Sequence, residues 1–371
     1  RFSMSKAAEL ANLIGNINMG GGGANKNAII NGAMNCSQRG TSFTSVGANA
    51  TTYTIDRFVW QTGNSAGRLT ATQDSSAPEG FANSLKYACT TADTSIAAGE
   101  YGIIQQPIEG QNLQHFAKGT SNAKPYAVSF YVKGNASATY VCELWDNDTS
   151  GNRQISKTFN VTTDWTRVEL SFPADTTGAL DDDSASSFIF NIWLHGGSTY
   201  TGGTLNSSAW ASLTSANRAA GISSFFDSTD RTFFLTGVQL EVGQNPTEFE
   251  SEPFERTLYK CERYYQQLGG YTDAYTRLSA PTVVGNTQAN WTFPFKTIMR
   301  ATPALTATAA NWILTNGSAS KTLSSLGLTR SDVTQAFLVM QWSGTEFGVG
   351  QSVEGYANND TSYRMQFDSE L

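Results

Sequence analysis

Two short segments, Asn27-Ala-Ile-Ile-Asn-Gly-Ala-Met34 and Phe233-Phe-Leu-Thr-Gly-Val-Gln-Leu-Glu241, frame a long block of alternating apolar and polar residues. Between them, short runs of strand-forming residues are separated by clusters of Gly, Ser, Asn, Asp and Thr. That spacing is the pattern of a β-sandwich or barrel, because βαβ units would need helical runs between the strands. The expected fold class is therefore all-β. It comprises a two-sheet β-sandwich over residues 27–250, a smaller C-terminal β-sandwich knob over 251–371, and a short N-terminal helix with a Gly hinge over 1–26.

The strands can be phased from the period of two. Val128, Phe130 and Val132 share one face of their strand. Tyr140, Cys142 and Leu144 share a face of the next, and Phe188, Phe190, Ile192 and Leu194 a face of a third. These are the expected core faces. The opposite faces carry Tyr131, Glu143 and Trp145, and then Asn191, Trp193 and His195. Aromatic side chains alternating with hydrogen-bonding ones suit a sugar, which offers an apolar C–H face and a ring of hydroxyls. Trp193, Asn191, His195, Tyr131, Glu143 and Trp145 are accordingly the candidate glycan-binding residues. The alternative is that long loops or a neighbouring chain cover these faces.

Composition agrees with strands and turns: 371 residues include 34 Gly, 12% aromatic residues and only 15% charged ones. The net charge of −7 leaves no basic stripe to displace counterions, so nucleic acid is not an expected partner. No run approaches the ~20 apolar residues that span a bilayer, and no membrane insertion is expected. The chain begins at Arg1, which fits a fragment or trimmed product. The four cysteines, Cys36, Cys89, Cys142 and Cys261, lack a C-x-x-C spacing and read as buried free thiols, with Cys89 and Cys142 the pair to check for a bridge.

In the first segment, Ala7, Leu10, Ile14 and Ile17 recur at 3-4-3 spacing, one seam of a short coiled coil. A helix this short is marginal alone, so Leu10, Ile14 and Ile17 are expected to assemble a parallel bundle of sister chains. A helix docked on its own domain is the other reading.

Catalytic and metal signatures are missing. There are two histidines, His115 and His195, and no G-x-S-x-G elbow. Asp146-Asn-Asp-Thr-Ser-Gly-Asn152 begins like a calcium loop, but Lys157 stands where the bidentate Glu would be, so it reads as a hairpin turn. Asp181 to Asp183 read as a solvated loop. No cofactor, metal or enzymatic activity is expected.

Several short motifs in a fixed order carry a resemblance. Asn27–Met34, Ser37-Gln-Arg-Gly40, Tyr53-Thr-Ile-Asp-Arg-Phe58, Thr236-Gly-Val-Gln-Leu-Glu-Val-Gly243, Arg263-Tyr-Tyr-Gln266, Met299-Arg-Ala-Thr-Pro303 and the closing Phe367-Asp-Ser-Glu-Leu371 resemble the framework of bacteriophage tail-fibre and related virion proteins. The first and closing strands of the large block are similar to those of jelly-roll carbohydrate-binding modules. The resemblance implies a homotrimeric tail-fibre component, assembled in the host bacterial cytoplasm and resident in the virion. Its expected partners are a host cell-surface glycan and other virion structural proteins, and its expected mode is multivalent binding without catalysis. A tailspike-like glycan depolymerase and a structural spacer or capsid decoration protein are the alternatives. The resemblance supplies no binding residues.

Overall fold

The computed structural model describes residues 26–148, 152–270 and 272–371. The helix expected near the N-terminus, with Leu10, Ile14 and Ile17, lies outside the described residues. The described chain divides into two units, one ending at Thr257 and one formed by Leu258–Glu370.

The apolar alternation of the first unit is spent on one core. The three phased faces, from Val128 to Val132, Tyr140 to Leu144 and Phe188 to Leu194, all enter a single buried cluster. Its strands are β1 (Ser42–Gly47), β2 (Thr51–Tyr53), β3 (Val59–Gly63), β4 (Arg68–Asp74), β5 (Ser84–Thr91), β6 (Tyr101–Glu109), β7 (Tyr126–Gly134), β8 (Ala138–Asp146), β9 (Arg153–Val161), β10 (Thr166–Phe172), β11 (Ser186–Gly196), β12 (Ala211–Ser212) and β13 (Thr232–Val242). A six-stranded sheet runs β1-β4-β5-β13-β7-β10 and a seven-stranded sheet runs β12-β9-β8-β11-β6-β3-β2. Every pairing is antiparallel. The chain passes repeatedly from one sheet to the other, and the result is a jelly-roll β-sandwich.

Aromatic rings fill the space between the sheets. Trp60 meets Tyr87 edge-on at 5.2 Å, and Tyr126 stacks between Phe116 at 4.8 Å and Phe188 at 5.7 Å. Each such side chain contributes on the order of 1.5–3 kcal/mol through burial. All four cysteines are buried free thiols, so no Cys89–Cys142 bridge forms, and burial pushes the Cys142 thiol well up.

Residues 27–34, the first of the two framing segments, form no regular strand. They lie along β13, but as irregular backbone. Val238 N donates to Gly32 O at 3.0 Å, Ala28 N donates to Leu240 O at 2.8 Å, and the Asn27 carboxamide bridges Val238 O and Leu240 N at 3.0 Å each. The reason lies in β13, whose register against β7 shifts between Thr236 and Gln239. Gly237 sits there at φ 62°, where a Cβ would strike the Phe81 and Tyr131 rings at 2.7 and 2.9 Å. The bulge turns Val238 toward the incoming segment and breaks regular pairing.

At one end of the sandwich the chain supplies its own internal cation. Lys118 Nζ contacts Asp146, lies 3.2 Å from Asp175 Oδ2, and donates to Thr177 O at 2.9 Å and Gly178 O at 2.7 Å. Arg153 holds the other side of Asp175 through two bonds of 2.8 and 2.9 Å. Asp146, read from sequence as opening a turn, ends β8 and pairs across the hairpin with Arg153 of β9. Asp181 to Asp183 are exposed, as a solvated loop requires.

The second unit is also built of strands, in three small antiparallel sheets. One joins Tyr265–Gly269, Arg364–Asp368 and Ala304–Thr306; another carries Gln288–Pro294 beside Gln335–Gln341; a third pairs Trp312–Thr315 with Glu354–Ala357. Trp312, Leu314, Leu338, Met340 and Phe367 are at its core. Tyr264 and Tyr265 belong to the Arg263–Gln266 motif, which is not one strand from its start. A helix, Phe254–Glu262, precedes them, and only Tyr265 enters the ladder.

Candidate functional site

The outer face of the seven-stranded sheet collects the odd-numbered side chains of its central strands. Register sets them in rows: Gln61, Ile103, Trp193 and Val141 lie side by side across β3, β6, β11 and β8, and Gln105, Asn191 and Glu143 form the next row. Side chains so placed on neighbouring strands are within reach of one another.

A hydrogen-bonded chain runs along the second row. Gln105 Nε2 donates to Asn191 Oδ1 at 2.8 Å, and Asn191 Nδ2 donates to Glu143 Oε2 at 2.8 Å. The same carboxylate oxygen accepts from Trp193 Nε1 at 2.8 Å. Arg218 closes the set, with Nε 2.7 Å from Oε1 and Nη2 2.8 Å from Oε2 of Glu143. Glu143 is fully buried, and this bidentate, charge-assisted pair offsets the cost of placing it there. The Arg218 guanidinium also rests on two aromatic faces, 4.6 Å from the Trp145 ring centre and 4.8 Å from that of Trp193.

The covering layer comes from the connection after β11. Gly197 N bonds to Glu100 O at 2.8 Å, and a Cβ at Gly197 would lie 2.0 Å from Ala97 O, so the chain can turn back here only at glycine. A single helical turn, Ser198–Thr201, then places Tyr200 5.2 Å from Trp193 and 5.5 Å from Tyr101. Further on, Ala219 N binds Tyr200 O at 3.0 Å and Ser223 N binds Thr139 O at 2.8 Å, tying the segment down over β8. Trp193, Ile103, Val141 and Ala219 form a small apolar cluster of their own beneath it. A groove of about 160 Å³ remains open, lined by Gln61, Tyr101, Ile103, Gln105, Trp145, Trp193, Tyr200 and Arg218.

The strand phase read from sequence is the one observed, but the expected exposure is not. Trp193, Asn191, His195 and Glu143 are all at 0% exposure. The first, second and last of these are covered or bonded as just described; His195 lies farther along β11 with Nδ1 2.8 Å from Ser224 Oγ. Trp145 is half-buried at the groove. Tyr131 is half-buried on β7 of the other sheet, against Phe81 at 5.4 Å, and so stands apart from the rest. Gln61, Tyr101, Gln105, Tyr200 and Arg218 escaped the sequence reading. The first three share the period-two phase that marked Trp193 and could have been found that way. Tyr200 and Arg218 sit in a long irregular connection that gives no periodic signal.

No protein-family model matches the chain, and no curated protein matches it. Among solved structures, a family 4 carbohydrate-binding module is similar at 13% identity over 57% of this chain and 97% of that one, with a TM-score of 0.29. A putative sugar-binding protein from Bacteroides thetaiotaomicron is similar at 11% identity over 58% of this chain and 99% of that one, with a TM-score of 0.31. The enzymatically active domain of bacteriophage CBA120 tailspike protein 4 is similar at 12% identity over 58% of this chain and 21% of that one, with a TM-score of 0.27.

Proposed function

We propose that the outer-face groove binds a glycan without catalysis, and that the chain acts as a homotrimeric tail-fibre component attaching a bacteriophage to host-surface polysaccharide. The observation that carries the binding reading is the groove's chemistry. Aromatic faces of Tyr101, Tyr200 and Trp145 stand beside the carboxamides of Gln61 and Gln105, which supplies an apolar plate and hydroxyl partners together. Its volume of about 160 Å³ is below the ~300–1,000 Å³ of drug-sized pockets, which suits one sugar unit held while its neighbours stay in solvent. Arg218 is already neutralised by Glu143, so a neutral glycan fits better than a polyanion.

Among the described residues no carboxylate lines the groove, which favours binding over glycoside hydrolysis, since that reaction uses a pair of them. The virion setting and the trimer rest on the sequence resemblance and the Leu10, Ile14, Ile17 seam. Three weak sites on one particle gain avidity from effective concentration.

The test is affinity electrophoresis of the full chain through a panel of neutral bacterial polysaccharides. At least one should retard the wild type, while Trp145→Ala and Tyr101→Ala lose roughly tenfold or more in affinity and keep the wild-type circular dichroism spectrum. A panel that retards nothing, or variants retarded like the wild type, would overturn the groove assignment. New reducing ends in the retained polysaccharide would make the chain a depolymerase instead.

A further inference from the structure

Five buried carboxylates of the sandwich, Asp56, Glu143, Asp146, Asp175 and Glu241, each have a Lys or Arg nitrogen within 4 Å. Two others do not. Asp93, 6% exposed, and Glu100, 5% exposed, face the same point with no cationic Lys or Arg partner among the described residues. The group between them is His195, whose Nε2 is 3.4 Å from Glu100 Oε2, longer than a good hydrogen bond.

We propose that Asp93, Glu100 and His195 form a site for one divalent first-row transition ion, of which Zn²⁺ is the representative. One donor atom from each lies within 4.8 Å of the others. Donors sharing a tetrahedral ion at bond lengths of ~2.0–2.1 Å lie about 3.3–3.4 Å apart, so the three need to close by at most roughly 1.5 Å. One imidazole with two carboxylates suits zinc or manganese; calcium would ask for six or more oxygens.

The surroundings are those of an oriented ligand set. His195 Nδ1 is held by Ser224 Oγ at 2.8 Å, leaving Nε2 directed at the carboxylates. Asp93 Oδ2 is held by Ser65 Oγ at 2.8 Å and Ala66 N at 2.7 Å. Such supporting bonds fix ligand direction. The ion would join the β5–β6 connection, the end of β11 and, through Ser224, the segment that covers the groove. It would thereby brace that cover without touching the groove-lining side chains.

The experiment is calorimetric titration of the chelator-treated full chain with Zn²⁺, paired with thermal scans. The expected result is a single equivalent bound and a raised melting temperature. His195→Ala and Glu100→Gln should each weaken binding roughly tenfold or more, whereas His115→Ala, which removes the other, exposed histidine, should not. Glu100→Gln keeps size and shape; should it fail to fold, Asp93→Asn takes its place. Absence of stoichiometric binding by the wild type would overturn the site, as would binding that survives both His195→Ala and Glu100→Gln.

Discussion

Replacing Lys118 by Met keeps the length of the side chain and removes its charge. In the wild type Nζ serves two carboxylates and two backbone carbonyls in a place where Lys118, Asp146 and Asp175 side chains are 1%, 0% and 3% exposed. Asp175 would retain Arg153, but Asp146 would lose the Lys118 ammonium inside the sandwich. Removing one partner of a buried ion pair costs about 3–5 kcal/mol, because the remaining charge is left uncompensated. Against a total stability of ~5–15 kcal/mol that is a large share. At roughly 2–4 °C per kcal/mol for a unit of this size, the sandwich should melt roughly 6–20 °C lower. Differential scanning calorimetry of the full chain reads this as a shift of one transition, with the second unit as an internal reference. Adding Asp146→Asn removes the carboxylate that Lys118 faced and should restore part of the loss, a non-additivity expected of groups in one network. A Lys118→Met variant within about 1 kcal/mol of wild type, or a double variant whose losses simply add, would refute the reading of Lys118 as an obligatory internal cation.

Trp193→Ala should destabilise the sandwich by about 3–5 kcal/mol in urea melts, because Trp193 is fully buried beneath the covering segment and bonds to Glu143; an unchanged midpoint would mean that this cover is open in solution. Native protein should resist thiol labelling at pH 8, and denatured protein should take up four equivalents, since all four cysteines are buried and free and burial raises the Cys89 and Cys142 thiols. Asn31→Ala should cost about 2–3 kcal/mol, since Asn31 holds φ 61° and its carboxamide binds Cys36 N, Cys36 O and Asp56 O; a loss under 0.5 kcal/mol would contradict this. Light scattering of the intact chain should give a trimer that Leu10→Asp with Ile14→Asp weakens, and a monomer at micromolar concentration would end that proposal.

Alternation along single strands was legible in the residues themselves. Val128, Phe130 and Val132 face the core because side chains on a pleated strand alternate strictly, and a strand with one face apolar has one stable orientation. The same rule set Trp193, Asn191 and Glu143 on the outer face. Turn residues and scarce helix formers likewise carried the all-β class without reference to pairing. What only the tertiary structure decided was what lies over that outer face. The covering segment after β11 has no repeat for a sequence reading to catch, and its position follows from long-range bonds such as Ser223 to Thr139. Arg218 finds Glu143 across 75 positions, and His195 finds Glu100 across 95. Such meetings depend on the order of strands in the sheets, which local propensity does not encode, because many orders bury the same apolar faces equally well.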